Sequence, residues 1–215
     1  AAARDGREIY VGAFGEADRA SRAANGADTR FSTASIGKAF THVAILQLIA
    51  AGQISLTTTL GEVIPDFPNS AARAATIEQL LSHRGGIADY LGPAFRDEPK
   101  ERYTGNAAYF DLVARQPQNF TPGEREEYCN SCFVVLGEII ARVSGMSYED
   151  YITQHVFAPA GMARSGFFRL GQLPEDVARF YGTPRGPGTE LVDVSAFHGA
   201  AASAAAGVYS TARDL

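Results

Sequence analysis

Phe31-Ser32-Thr33-Ala34-Ser35-Ile36-Gly37-Lys38-Ala39-Phe40-Thr41 is the stretch whose reading decides the fold. Polar, Gly- and Asp-bearing chain precedes it. After it runs Val43-Ala44-Ile45-Leu46-Gln47-Leu48-Ile49-Ala50-Ala51-Gly52, apolar on almost every side and closed by a glycine at the C′ position. The pattern predicts one buried helix beginning near Ser35. Ser35 and Lys38, three residues apart, then share a face one turn from each other. A hydroxyl and an amine meet where a helix starts.

That meeting has a chemical use. A serine hydroxyl attacks only when a base takes its proton, and lysine becomes such a base when burial or a nearby cation lowers its pKa from about 10.4. First-turn N–H groups, unpaired and at the positive end of the helix dipole, can face the oxyanion formed at an attacked carbonyl. S-x-x-K fixes only two residues and recurs by chance, so composition has to add weight. It does: the only lysines are Lys38 and Lys100, in a chain whose other basic residues are Arg. A lysine inside an apolar helix of such a chain points to a task that guanidinium, which does not deprotonate, cannot perform.

At 215 residues with 46% hydrophobic content the chain can build a real core, as one large domain or two lobes. A formal net charge of −5 without a basic cluster argues against nucleic acid. No run of about 18 apolar residues offers a membrane span, and Ala1-Ala2-Ala3-Arg4-Asp5-Gly6 has no signal-peptide core. Both cysteines fall in Tyr128-Cys129-Asn130-Ser131-Cys132. A thioredoxin-like motif wants a buried strand before it, but Glu124-Arg125-Glu126-Glu127 precedes, so two small packed thiols are expected. No cofactor is called for, and no metal: zinc lacks further Cys or His ligands nearby.

Along the chain, Ile9 to Gly15 reads as a short strand and Arg19 to Arg30 as a polar loop. Thr76-Ile77-Glu78-Gln79 is a capping box that opens a helix carrying Leu80-Leu81, and Gly85-Gly86 demands a tight turn. Gly92 to Lys100 reads as a loop, Asn106 to Arg115 as a helix, and Ser131 to Val143 as a helix stopped by Gly145. Ser147 caps another, expected to end before Pro159. Gly207-Val208-Tyr209 is strand-like, and Ser210 to Asp214 looks like a cap and first turn. Helices fill the middle and strands lie near the ends, which suits an α/β lobe with a helical lobe inserted. Residues 1–60 would start the α/β lobe with the nucleophile helix, 61–175 form the helical lobe, and 176–215 begin an incomplete return.

Ser35 and Lys38, the His83-Arg84-Gly85-Gly86 turn, and Pro122-Gly123 followed by Tyr128-Cys129-Asn130 stand in an order that resembles the serine β-lactamase and penicillin-binding family. Within it the chain is most similar to class C β-lactamases, D-alanyl-D-alanine carboxypeptidases and related esterases. Leu80-Leu81-Ser82-His83-Arg84-Gly85-Gly86-Ile87 resembles the family's LLTHTSGL segment, and Gly145-Met146-Ser147-Tyr148-Glu149 adds a familiar phrase. The resemblance implies an α+β fold of β-lactamase/transpeptidase type: an antiparallel sheet flanked by helices, with an inserted all-helical lobe. It implies a serine hydrolase that forms an acyl-enzyme on an ester, amide or β-lactam carbonyl of a small molecule or peptide. Ser35 would be the nucleophile, Lys38 its base, and Tyr128 of the Y-x-N motif the partner acid and base. Asn130 would bind the substrate carbonyl and hold Lys38. Tyr90 is placed at the pocket without a motif to support it, and His83 is expected to support its turn. His42 reads as an interior histidine; His155 and His198 give no signal.

Two departures stand out. Cys129 and Cys132 replace small non-thiol residues, and the family's third motif, K-T-G or H-x-G on a strand edging the pocket, is absent. Either a C-terminal segment or a second chain completes the fold, or the protein is not a complete hydrolase. The resemblance leans towards a periplasmic or secreted setting. Other nucleophile motifs fail: Thr33 stands where G-x-S-x-G needs its first glycine, and Ser32 and Ala39 break a P-loop reading of Ile36-Gly37-Lys38-Ala39. The rival is a penicillin-recognising sensor or scaffold that is acylated without turnover.

Overall fold

In the computed structural model, residues 1–169, 171–183, 190–195 and 201–215 are described; His198 and Ala200, the start of the Ala-rich run, lie outside them. Helices carry the interior. The longest is α6 (Asn130–Ser144), with Phe133, Val134, Val135, Leu136, Ile139 and Ile140 all buried. It ends where Gly145 takes φ 72°, the left-handed C-cap that only glycine adopts without cost. Around it pack α1 (Lys38–Ala50), α2 (Leu60–Val63), α3 (Ile77–Leu81), α5 (Asn106–Val113) and α7 (Tyr148–Ile152). Each fully buried Leu, Ile, Val or Phe at this junction contributes about 1.5–3 kcal/mol.

The helix at the decisive stretch opens as a 3-10 turn, Ala34–Gly37, that runs straight into α1. It buries Phe40, Ala44, Ile45 and Leu48 while Val43 and Leu46 stay exposed, so it hides one face rather than its whole circumference. Both reciprocal hydrogen bonds of the Thr76–Gln79 capping box are present at α3, and Thr59–Glu62 makes a second one at α2.

Strands are short and pair two by two, all antiparallel. β1 (Ala2–Arg4) pairs with β2 (Arg7–Tyr10), and β3 (Glu16–Asp18) with β4 (Ala23–Ala24), the latter inside the Arg19 to Arg30 stretch expected to be a loop. β6 (Tyr181–Gly182) pairs with β7 (Val192–Asp193). The pair that matters most joins β5 (Phe31–Ser32) to β8 (Tyr209–Ser210), because it brings Tyr209 and Ser210 beside the turn that carries Ser35. No single wide sheet forms among the described residues.

Three local expectations are corrected. Residues 93–97 form α4 (Pro93–Asp97), since proline's fixed φ suits a first helical turn. The helix from Ser147 does not stop before Pro159: α7 passes through a π turn, Thr153–Phe157, into α8 (Ala158–Ala160), where Pro159 again sits in a first turn. Cys129 and Cys132 are joined as a disulfide, not held as two packed thiols. Their three-residue spacing permits either state, and at the start of α6 it brings the two Cα atoms to 5.3 Å.

Candidate active site

The turn that carries Ser35 is tied down at its start. Thr33 donates both its backbone N–H and its hydroxyl to the Val208 carbonyl, at 2.8 and 2.9 Å. Ala34 then turns with φ 46°, a left-handed conformation that costs a non-glycine residue about 1–2 kcal/mol. The chain leaves it with Ser35 exposed, as an attacking group has to be.

Lys38 lies beneath. Its side chain is 6% exposed, and its Nζ is 2.8 Å from Asn130 Oδ1, 2.7 Å from the Ala205 carbonyl and 3.3 Å from Ser35 Oγ. Burial lowers the Lys38 pKa below the ordinary lysine value; the Tyr128 hydroxyl and the Asp89 charge pull the other way. The amine also faces the Tyr128 ring, with 4.8 Å to its centroid, and the Phe133 ring at 5.3 Å.

Tyr128 comes from the segment entering α6 and is 53% exposed, with the Lys38 amine over its ring. His83 braces it: the two rings lie 4.6 Å apart, and Phe133 backs His83 at 5.2 Å. The Cys129 N–H donates to His83 Nδ1 at 3.1 Å, so that nitrogen carries no proton. Burial, reinforced by the Lys38 charge, holds the His83 pKa below its usual value, which keeps the ring in that neutral form. His83 has φ 60°, so two left-handed non-glycine residues flank the site.

Asn130 is the first residue of α6 rather than its cap. Cys129 caps the helix through Sγ, which accepts the Cys132 N–H, and this frees the Asn130 amide to reach Lys38 on one side and Asp89 on the other. Tyr90 is 5% exposed, wedged against Phe95 and Tyr109, with its hydroxyl met by Ser203; burial drives its pKa far up. It forms the back of a groove beside Ala34 whose walls include Phe168, Phe180 and Tyr209. His42 donates from Nδ1 to the Lys38 carbonyl at 3.0 Å.

Ser35, Lys38, Tyr128 and Asn130 are thus brought together, from positions up to 95 residues apart in sequence numbering (35 to 130). Sequence reading missed Ala205, which contributes a carbonyl and so no recognisable side chain. It also missed Asp89, whose one signal was its place between the Gly85-Gly86 turn and Tyr90. Among the described residues no group of three or more His, Cys, Asp or Glu is placed to hold a metal, and no single helix is long and apolar enough to cross a membrane.

A family model described as Beta-lactamase matches residues 1–215. The chain belongs to the β-lactamase family. Among the relatives of this β-lactamase family chain is penicillin-binding protein 4* of Bacillus subtilis, 30% identical over 181 residues, covering 83% of this chain and 40% of that protein. A D-aminopeptidase of Brucella anthropi is 27% identical, over 82% of this chain and 32% of its own length. In structure, a penicillin-binding protein from Bacillus halodurans superposes with a TM-score of 0.88 at 32% identity, over 98% of this chain and 66% of the other. A D-amino acid amidase from Ochrobactrum anthropi SV3, complexed with L-phenylalanine, gives 0.75 at 25% identity, over 94% and 59%. These likenesses identify the short antiparallel pairs and surrounding helices as the β-lactamase/transpeptidase fold. The chain spans about two fifths of the length of the Bacillus subtilis relative.

Proposed function

We propose that this chain carries the acyl-transfer site of a serine hydrolase working through an acyl-enzyme on an ester, amide or β-lactam carbonyl. The observation that carries the reading is the placement of Lys38. Its two short contacts, to Asn130 Oδ1 and the Ala205 carbonyl, use two N–H bonds. A neutral amine then keeps its lone pair for its remaining neighbours, Ser35 Oγ at 3.3 Å and the Tyr128 hydroxyl. Burial favours that neutral form.

From this geometry the steps follow. Ser35 Oγ bonds to the carbonyl carbon while its proton passes to Lys38 Nζ. The oxyanion faces the first-turn N–H of Ser35. As the bond to the leaving group breaks, the Tyr128 hydroxyl gives that group a proton and recovers one from Lys38. A water then attacks the Ser35 ester, protons run back along the same path, and the acid departs. Among the described residues the groove walled by Tyr90, Phe168 and Tyr209 has no charged lining, which suits an apolar acyl group. The D-aminopeptidase and D-amino acid amidase relatives favour amides of D-residues beside β-lactams and short esters. Tyr90 serves as a wall of the site, a second oxyanion donor comes from a C-terminal segment or a second chain, and the helical lobe runs over 61–175 between the two parts of the α/β lobe.

The test is burst-phase hydrolysis of p-nitrophenyl butyrate by the protein and by its Ser35→Ala variant. A burst followed by turnover, abolished in Ser35→Ala, is expected. A stoichiometric adduct without turnover would assign the chain to an acylated sensor instead, and no adduct at Ser35 would end both readings. A chromogenic cephalosporin and a D-Ala-D-Ala peptide, compared with the ester, then sort the substrate.

A further inference from the structure

The Asn130 amide has two ends of the same shape and opposite character. Its carbonyl oxygen accepts hydrogen bonds; its NH2 donates them. Which end faces Lys38 decides whether the amine can serve as a base. Turned the other way, the NH2 would donate into the lone pair of a neutral amine and occupy the direction that Ser35 needs.

Asp89 sets the choice. An ionised carboxylate only accepts, and Asp89 Oδ2 takes the Asn130 Nδ2–H at 2.8 Å and the Asn130 backbone N–H at 3.3 Å. Its other oxygen accepts the Leu91 N–H at 2.9 Å, which locks the carboxylate in its own turn. The neighbours on either side are clamped as well: Ser131 Oγ donates to the Ala88 carbonyl at 2.7 Å and accepts the Tyr90 N–H at 3.0 Å. The carboxylate therefore has little freedom to follow a flipped amide, and it sits at the positive end of α6, where a negative charge is favoured.

We propose that Asp89 is a positioning residue for acylation: it fixes the Asn130 amide with its oxygen towards Lys38, so that the Lys38 lone pair stays available to the Ser35 hydroxyl. This rests on the reading of Lys38 as the base. Asp89 hydrogen-bonds to no reacting atom; it positions through Asn130, while its charge by itself only holds the Lys38 proton more firmly, so losing that charge alone would not slow acylation.

The rate of the p-nitrophenyl butyrate burst, with its dependence on ester concentration, is measured for wild type, Asp89→Ala, Asp89→Asn, Asn130→Ala and the Asp89→Ala/Asn130→Ala pair, alongside thermal unfolding of each. Asp89→Ala is expected to slow the maximal burst rate by about 10- to 100-fold, the scale of a small misplacement of a reacting group, with little change in the half-saturating concentration. Asp89→Asn keeps an acceptor towards Asn130 but presents its NH2 to the Leu91 N–H. It should unfold at a lower temperature yet recover most of the burst. In the Asn130→Ala background, removing Asp89 should slow the burst no further. An equal added loss in that background, or an Asp89→Asn variant as slow as Asp89→Ala, would make Asp89 a merely structural residue and overturn the proposal. An undiminished Asp89→Ala burst would do the same while leaving the hydrolase reading intact. Absence of any burst in wild type would bring down both.

Discussion

Gly137 lies in the middle of α6, where alanine would ordinarily stabilise a helix by about 1 kcal/mol. Here Gly137→Ala should do the reverse. A Cβ at this position would stand 2.5 Å from Ala204 Cβ and 2.6 Å from Asn106 Nδ2, so the neighbours would have to retreat by about 1 Å to reach ordinary carbon contact. Neither retreats easily. Asn106 Nδ2 donates to the Val134 carbonyl at 3.0 Å, and its Oδ1 accepts the Ala204 N–H at 2.9 Å. Overpacking costs about 1–3 kcal/mol and one disturbed buried hydrogen bond about 1 kcal/mol, against the 1 kcal/mol gained in helix propensity. The net is a loss of about 2 kcal/mol, which in a chain of this size lowers Tm by roughly 4–8 °C. Activity should fall further than stability suggests, because the displaced segment holds the site. The Ala204 carbonyl accepts from Thr41 Oγ1 at 2.8 Å, and the next carbonyl, Ala205, accepts from Lys38. Thermal unfolding by circular dichroism and the ester burst are the two measurements. A Gly137→Ala protein as stable as wild type with an unchanged burst would show that the close approach of α6 to residues 203–205 is not what sets the amine in place.

Lys38 makes acylation pH-dependent with a definite sign. Burial depresses its pKa below 10.5 against the pull of Tyr128 and Asp89, with His83 held neutral nearby, so the fraction of neutral amine grows as pH rises. The burst rate should climb with pH through an inflection below 10.5, and Lys38→Arg should abolish the burst at every pH because guanidinium stays charged; a flat profile would remove Lys38 from the proton path. The disulfide closes so short a loop that its loss costs about 2 kcal/mol. Cys129→Ser/Cys132→Ala keeps a hydroxyl to cap α6, and it should melt a few degrees lower with its burst amplitude intact; loss of the burst would instead make the crosslink the support of Tyr128 and Asn130.

What the sequence could reveal follows from how local each feature is. Ser35 and Lys38 are three residues apart on one turn, so their meeting was readable from spacing alone. Tyr128 and Asn130 lie far along the chain and were found only through the order of motifs that resembles the family. Ala205 could not be found that way, since a backbone carbonyl carries no residue-type signal. Asp89 was passed over in favour of its neighbour Tyr90, because an aromatic ring suggests a pocket more readily than a carboxylate suggests a support. An asparagine where a helix begins most often serves as its cap. The chain gives that task to Cys129 Sγ and keeps the amide for the site. The strand pairs were foreseen near the chain ends, but β4 and α4 lie in polar and Pro-bearing stretches whose composition suits loops equally well.

Lys38 is buried, 3.3 Å from the exposed Ser35 hydroxyl and with the half-exposed Tyr128 ring over its amine. On the proposed reading, an acyl group attached to Ser35 would lie over that amine, and the water that releases it would enter beside the exposed Tyr128 ring. How long the adduct survives then depends on the shape of what was attached: a compact acyl group leaves the entrance clear and is shed, whereas a broad one shuts it behind itself. One scaffold could thereby act as a catalyst towards some molecules and as a lasting trap for others, with the guest's breadth deciding which.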